Sequence, residues 1–167
     1  MTLAAKNGGG PSILLRAEHA AALCAAIAML GMMLIGAADV IGAAALNRPL
    51  PGAYELTEAL MVATVFLALA LSQREGRQIR VEILASRLSG RAKAILDLIA
   101  DMLSALVYAV IAWYGWTVAV ESWQIGELSS GLLQFPLWPP KLALALGATL
   151  MCAQCLAACL AALRRAA

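Results

Sequence analysis

Two long stretches of this chain, Ala20 to Ala38 and Met102 to Val120, contain no charged residue. A third lies between Lys141 and Arg164 and is equally free of charge. A helix rises about 1.5 Å per residue, so about 20 mostly apolar residues cross the roughly 30 Å of bilayer hydrocarbon. Each of these stretches meets that length. A fourth, Ala59 to Gln73, falls short and reaches it only if the helix also takes in Glu58 and Glu55. The chain has 167 residues, of which 63% are hydrophobic. Soluble domains are about 45–50% apolar, so an integral membrane protein is the only class that fits. No length remains for a soluble catalytic domain.

The expected architecture is an all-α membrane protein, one four-helix domain over residues 1–167. The spans fall roughly at 20–46, 54–73, 95–120 and 141–163. Pro49, Pro51 and Gly52 break the chain between the first two, and Gly131, Pro136, Pro139 and Pro140 between the last two. Between the second and third spans lies a charged island at 74–90. In it Arg74, Glu75, Arg77, Arg80 and Glu82 are interleaved with Ile79, Val81, Ile83 and Leu84. Such a segment is too polar for hydrocarbon and too apolar for a free loop. It reads as an amphipathic helix lying on the membrane surface.

Lysine and arginine set the direction of insertion. Ten of the 12 basic residues (Lys6, Arg16, Arg74, Arg77, Arg80, Arg87, Arg91, Lys93, Arg164 and Arg165) fall on one side, leaving Arg48 and Lys141 on the other. Both termini and the central loop are therefore expected in the cytoplasm. Tyr54, Trp113, Tyr114, Trp116, Trp123, Phe135 and Trp138 gather towards the opposite face, where amphipathic rings sit best. A cleaved signal peptide ending near Ala43-Ala44-Ala45 is the weaker reading of the amino terminus, because the apolar run exceeds the usual core of about 7–15 residues.

Few residues look chemical. Asp39, Glu55 and Glu58 fall at similar depth near the outer ends of the first two spans. An ion or proton site is possible there, but at headgroup level anchoring costs little, with Arg48, Lys141 or a partner chain supplying the counter-charge. Asp97 and Asp101 share one helix face beside the basic loop, which favours a salt-bridge cluster over paired catalytic carboxylates. Cys152, Cys155 and Cys159 also share a face. Zinc usually takes four ligands, and the one histidine, His19, lies on another helix, so these cysteines read as small hydrophobes. The same lack of histidines disfavours haem and a redox-subunit reading. Glycines such as Gly31, Gly36, Gly42 and Gly147 point to close helix packing in lipid. No phosphate loop, nucleophile elbow, zinc motif or nucleic-acid module is present, so no enzyme, cofactor or metal is expected.

Three motifs carry a resemblance. Pro51-Gly52-Ala53-Tyr54-Glu55-Leu56-Thr57-Glu58 is a Pro-Gly turn leading into an acidic helix start. Arg74-Glu75-Gly76-Arg77-Gln78-Ile79-Arg80-Val81-Glu82-Ile83-Leu84 is similar to the pattern Arg-x-Gly-x-His-Ile-x-Val-Asp-x-Leu, with Gln78 for histidine and Glu82 for aspartate. Pro136-Leu137-Trp138-Pro139-Pro140 is similar to a Pro-x-Trp-x-Pro turn. On these grounds nearly the whole chain resembles the small membrane subunit (DctQ-like) of tripartite ATP-independent periplasmic (TRAP) transporters.

The resemblance implies a scaffold subunit working with a large membrane subunit and a periplasmic substrate-binding protein, for uptake of small carboxylated solutes. Substrate and sodium would bind the large subunit. The location would be the bacterial inner membrane, with the basic segment on anionic lipid headgroups. The residues it marks as interface or structural are Glu55, Glu58, Arg74, Gly76, Gln78, Ile79, Val81, Glu82, Leu84, Pro136 and Trp138. Gln78 keeps hydrogen bonding but cannot take up a proton as histidine can. The alternative is a stand-alone four-helix exporter, which would need a carboxylate near mid-membrane and less charge bias.

Overall fold

The computed structural model describes residues 12–74, 90–131 and 133–166. Four helices occupy most of this: α1 (Ser12–Leu46), α2 (Ala53–Arg74), α3 (Gly90–Ile125) and α4 (Trp138–Ala166). All four contain a segment long and apolar enough to cross a membrane: Leu14–Leu46, Ala53–Gln73, Ile95–Ile125 and Trp138–Ala162. Residues 75–89, including most of the charged island, lie outside the described residues.

The helices outrun the apolar stretches. α1 starts at Ser12 rather than near Ala20, and carries Arg16, Glu18 and His19 in its first turns. At 35 residues it is about 52 Å long, well beyond the hydrocarbon thickness. α4 starts at Trp138, taking Pro139 and Pro140 into its first turn instead of leaving them in the loop. Proline is tolerated there because first-turn N–H groups have no partner within the helix.

Local chemistry sets the ends. α1 stops at Asn47, whose left-handed backbone (φ 50°) asparagine tolerates better than most residues, and the Arg48 N–H turns back to the Gly42 carbonyl at 3.1 Å. Leu50 to Ala53 then form a type II turn, closed by the Ala53 N–H on the Leu50 carbonyl at 3.3 Å. Gly52 takes the positive φ of 76° that the turn requires. α3 ends in a Schellman motif around Gly126 (φ 62°), with the Glu127 N–H on the Ser122 carbonyl and the Gly126 N–H on the Trp123 carbonyl.

The packing order is not the chain order. α1 packs on α2, α2 on α4, and α4 on α3, so the helices stand in a row α1–α2–α4–α3. α1 touches α4 only lightly. The last helix is thus an interior member of the row, and it is the most buried of the four. Small residues make these contacts close. A Cβ on Gly147 would strike the backbone carbonyl of Phe66, one on Gly115 would stand 2.8 Å from Leu144, and one on Gly31 would rest 3.5 Å from Leu60. Such notches suit helix association in lipid, where dispersion and close approach replace the hydrophobic effect. The core proper is small: Ala105, Met151 and Cys155, with Leu69 and Tyr108 against it.

A row leaves its edge helices uncovered. On α1, Leu23, Ile27, Leu30, Leu34 and Ile41 form an exposed apolar stripe, and on α3 Ile99, Met102, Leu103, Leu106 and Trp113 do the same. Leu34 and Trp113 are 71% and 72% exposed, values that suit lipid or another protein and not water.

Candidate functional site

Chemistry in this chain concentrates at the two ends of the row. At the end where α1 meets α2 and α3 meets α4, the α3–α4 connection folds into a short antiparallel ladder. The Ser129 N–H donates to the Phe135 carbonyl at 2.8 Å and the Leu137 N–H to the Glu127 carbonyl at 3.0 Å, with Leu128 paired to Pro136. Trp123 and Trp138 meet edge to face at its base, ring centres 4.6 Å apart and planes at 81°.

This ladder leans on α2. The Glu55 carboxylate presses on Gly131 so closely that no side chain would fit there, and Leu133 covers Gly52 in the same way. Between the ladder, α2 and α4 lies a cavity of about 190 Å³. Glu55, Glu58, Ser129, Phe135 and Lys141 contribute to its walls. Lys141 forms an ion pair with Glu127, so its charge does not go to Asp39, Glu55 or Glu58. Asp39 instead accepts the Leu50 N–H at 2.7 Å and fixes the α1–α2 turn. Glu55 Oε2 is buried without a hydrogen-bond partner among the described residues. The result is an acidic cleft whose nearest cation is already engaged.

Glu127 was not legible as Lys141's partner, because only the ladder brings them together; the one local signal is Gly126, the helix stop before it. The Lys141 ammonium paired with it holds the Glu127 carboxyl below its usual 4.5. A lowered folded-state pKa means that the pair's contribution is present above the unfolded value and lost as pH falls through the folded one. Acidification below about pH 4.5 should therefore loosen the ladder, read as a change in Trp123 and Trp138 fluorescence. An E127Q variant should lack that transition. A wild-type signal that changes on acidification no differently from that of E127Q would count against the pairing.

At the opposite end a polar level crosses the row. Gln73 donates to Asp101 at 3.5 Å, tying α2 to α3. Ala25 faces Thr64, whose hydroxyl reaches its carbonyl at 3.5 Å, so the antiparallel register carries Glu18 to the last turns of α2. α2 and α4 run parallel, with Phe66 on Gly147. Seven residues further along both, Gln73 and Gln154 share a level. Glu18, Asp101 and Gln154 are 0%, 4% and 5% exposed. Polar groups buried in a span are costly and hold helices in register when they meet. Sequence reasoning singled out Asp101 but missed Glu18 and Gln154, which sit inside or beside apolar runs with no spacing signal.

The residues marked by the sequence divide accordingly. Glu55 and Glu58 line the cleft; Pro136 belongs to the ladder and Trp138 opens α4. Arg74 is the last residue of α2. Gly76, Gln78, Ile79, Val81, Glu82 and Leu84 lie outside the described residues. All four cysteines are free thiols; Cys155 and Cys159 are buried, and the Cys152 thiol points at the Ala105 carbonyl at 3.5 Å.

No curated protein matches this chain. A family model does: that of the DctQ component of tripartite ATP-independent periplasmic transporters, over residues 32–165. The matched stretch takes in the acidic cleft, the ladder, the charged island, all of α2 and α3, nearly all of α4 and the C-terminal part of α1, and on that match the chain belongs to the DctQ component of the tripartite ATP-independent periplasmic transporters.

Proposed function

We propose that this chain is the small permease subunit of a sodium-coupled transporter, acting as a scaffold in the bacterial inner membrane. Its family consists of transporter subunits, not enzymes, and works with a large membrane subunit and a substrate-binding protein. In this reading the chain braces the large subunit, and the large subunit binds the sodium and a small carboxylated solute. The outer end of the row helps dock the periplasmic binding protein. Both termini and the charged island face the cytoplasm, where Arg74, Arg77, Arg80 and Arg87 hold anionic headgroups.

The observation that carries the scaffold reading is the row itself. Among the described residues, helices side by side enclose no interior path, whereas the stripes on α1 and α3 offer two long apolar edges to a partner. Glu58 is exposed at the rim of the outer cleft, not held at the centre of a closed bundle as an exporter's carboxylate would be.

Purification of the tagged chain from its native cells in mild detergent should bring down a large multi-span protein, identified by mass spectrometry. Replacing Arg74 and Glu82 together with alanine should lower that recovery several-fold. A chain that purifies alone, folded and monodisperse, would sink the scaffold reading. A sodium requirement for uptake by the reconstituted complex tests the coupling separately.

A further inference from the structure

A second cavity, of about 360 Å³, runs along the outside of the α3–α4 pair. Val110, Tyr114, Gly115 and Val118 of α3 form one wall, and Leu144 and Lys141 of α4 the other. Gly115 is the reason for its shape: it has no side chain where Leu144 and Ala145 come closest. That contact also sets the depth scale. The two helices are antiparallel, so with Gly115 beside Leu144, Val118 lies level with Lys141. Val110 then lies about 12 Å further along α3, towards the middle of its apolar span.

The groove therefore begins at a cation in the first turn of α4, at the membrane boundary, and continues inward without meeting another charge. One charge at headgroup depth and an apolar channel along the helix axis is the outline of a lipid, with the phosphate outside and the tail inside. Lys141 keeps capacity for a phosphate. Its ammonium carries three donors, Glu127 engages it from one side, and the side chain is 27% exposed.

We infer that this groove binds a glycerophospholipid, its phosphate on Lys141 and one acyl chain lying between α3 and α4 from Val118 towards Val110. The site uses residues of this chain alone and does not depend on the scaffold reading. A bound lipid would complete the α3 surface where the row leaves it open, and would tie the ladder's ion pair to the state of the surrounding membrane. A helix of the large subunit is the rival occupant. It would have to shield Lys141 as well as fill the notch at Gly115, whereas a phospholipid does both with one molecule.

The test is native mass spectrometry of the purified full chain titrated with phosphatidylglycerol, and in parallel with diacylglycerol, which lacks the phosphate. Val118 is 42% exposed, so V118W fills the groove from outside without entering a helix contact. One phosphatidylglycerol per chain is expected on the wild type, bound at least about tenfold more weakly by V118W. K141Q should lose the preference for phosphatidylglycerol over diacylglycerol. If V118W does not purify monodisperse, V110W fills the far end and is judged by the same loss. Equal lipid binding by wild type and groove-filled variants would overturn the site. So would failure of the wild type to bind phosphatidylglycerol, or a V118W variant that binds lipid normally but no longer recovers the large subunit. Unchanged preference in K141Q would overturn the assignment of the phosphate.

Discussion

Replacing Gly147 with leucine will prevent the row from assembling. Gly147 is the point where α4 crosses α2, and even a methyl group there would strike the Phe66 carbonyl and stand 2.9 Å from the Phe66 Cβ. The obstacle is backbone, which cannot rotate aside as a side chain can. Relief requires the two helices to separate along their length, which forfeits the close approach that holds them in lipid. Overpacking of this kind costs about 3 kcal/mol or more, and G147A should already show part of it. The measurement is the midpoint of thermal unfolding in detergent, together with the monodisperse fraction. Gly36 is the control: nothing lies within 4 Å of where its Cβ would be, so G36L should behave as wild type. If G147L and G36L were equally stable, α2 and α4 would not pack through this notch.

The second large effect concerns the acidic cleft, proposed above as part of the surface that docks the periplasmic binding protein. Reversing both acids, as E55K/E58K, should raise the concentration of periplasmic binding protein needed for half-maximal uptake by at least about tenfold. Like charges set against each other across an interface cost several kcal/mol, and rim charges act chiefly on the rate of encounter. The cleft has one engaged cation and two carboxylates without a counter-charge among the described residues, so it presents a net negative face. Wild-type docking should weaken as salt rises, because screening shortens the reach of that field, and the E55Q/E58Q variant should lose most of the salt dependence. Recovery of the large subunit should be unchanged in both variants, which separates docking from assembly. A half-saturating concentration that does not move would remove the cleft from the docking surface.

The spans were legible in the sequence because a bilayer imposes one length on every helix that crosses it. The α1–α2 turn was legible because Pro51-Gly52 has few other uses. Helix ends were less so. Charge marked the first apolar run as starting at Ala20, yet α1 accommodates Arg16 and His19 on its exposed side and continues back to Ser12. The prolines before the last span suggested loop, yet the first turn of a helix accepts them.

Neighbour relations were the hidden part. Gly31, Gly36, Gly42 and Gly147 look alike in sequence. Gly147 and Gly31 turned out to be notches for α2, while Gly36 faces open space and Gly42 serves the turn at Arg48. Which small residue meets which helix depends on the partner's surface, and that information is not local. The cleft was half legible for the same reason: Glu55 and Glu58 were visible as acids near one end, but their wall is the ladder, and its engagement of Lys141 with Glu127 comes from a distant segment.

The helix order has a consequence for biosynthesis. A ribosome makes α3 before α4, and in the finished row α3 packs on α4 and not on the earlier pair. As α3 leaves the insertion machinery the helix it packs on most is still missing. It must wait in the lipid, its buried Asp101 within reach of Gln73 but its apolar partner still untranslated. Only when the 29 residues of α4 slide in between α2 and α3 does the chain close up. α4 is therefore the helix on which closure of the row waits. A chain stopped before α4 would hold α1 and α2 together but would lack the helix through which α3 joins them.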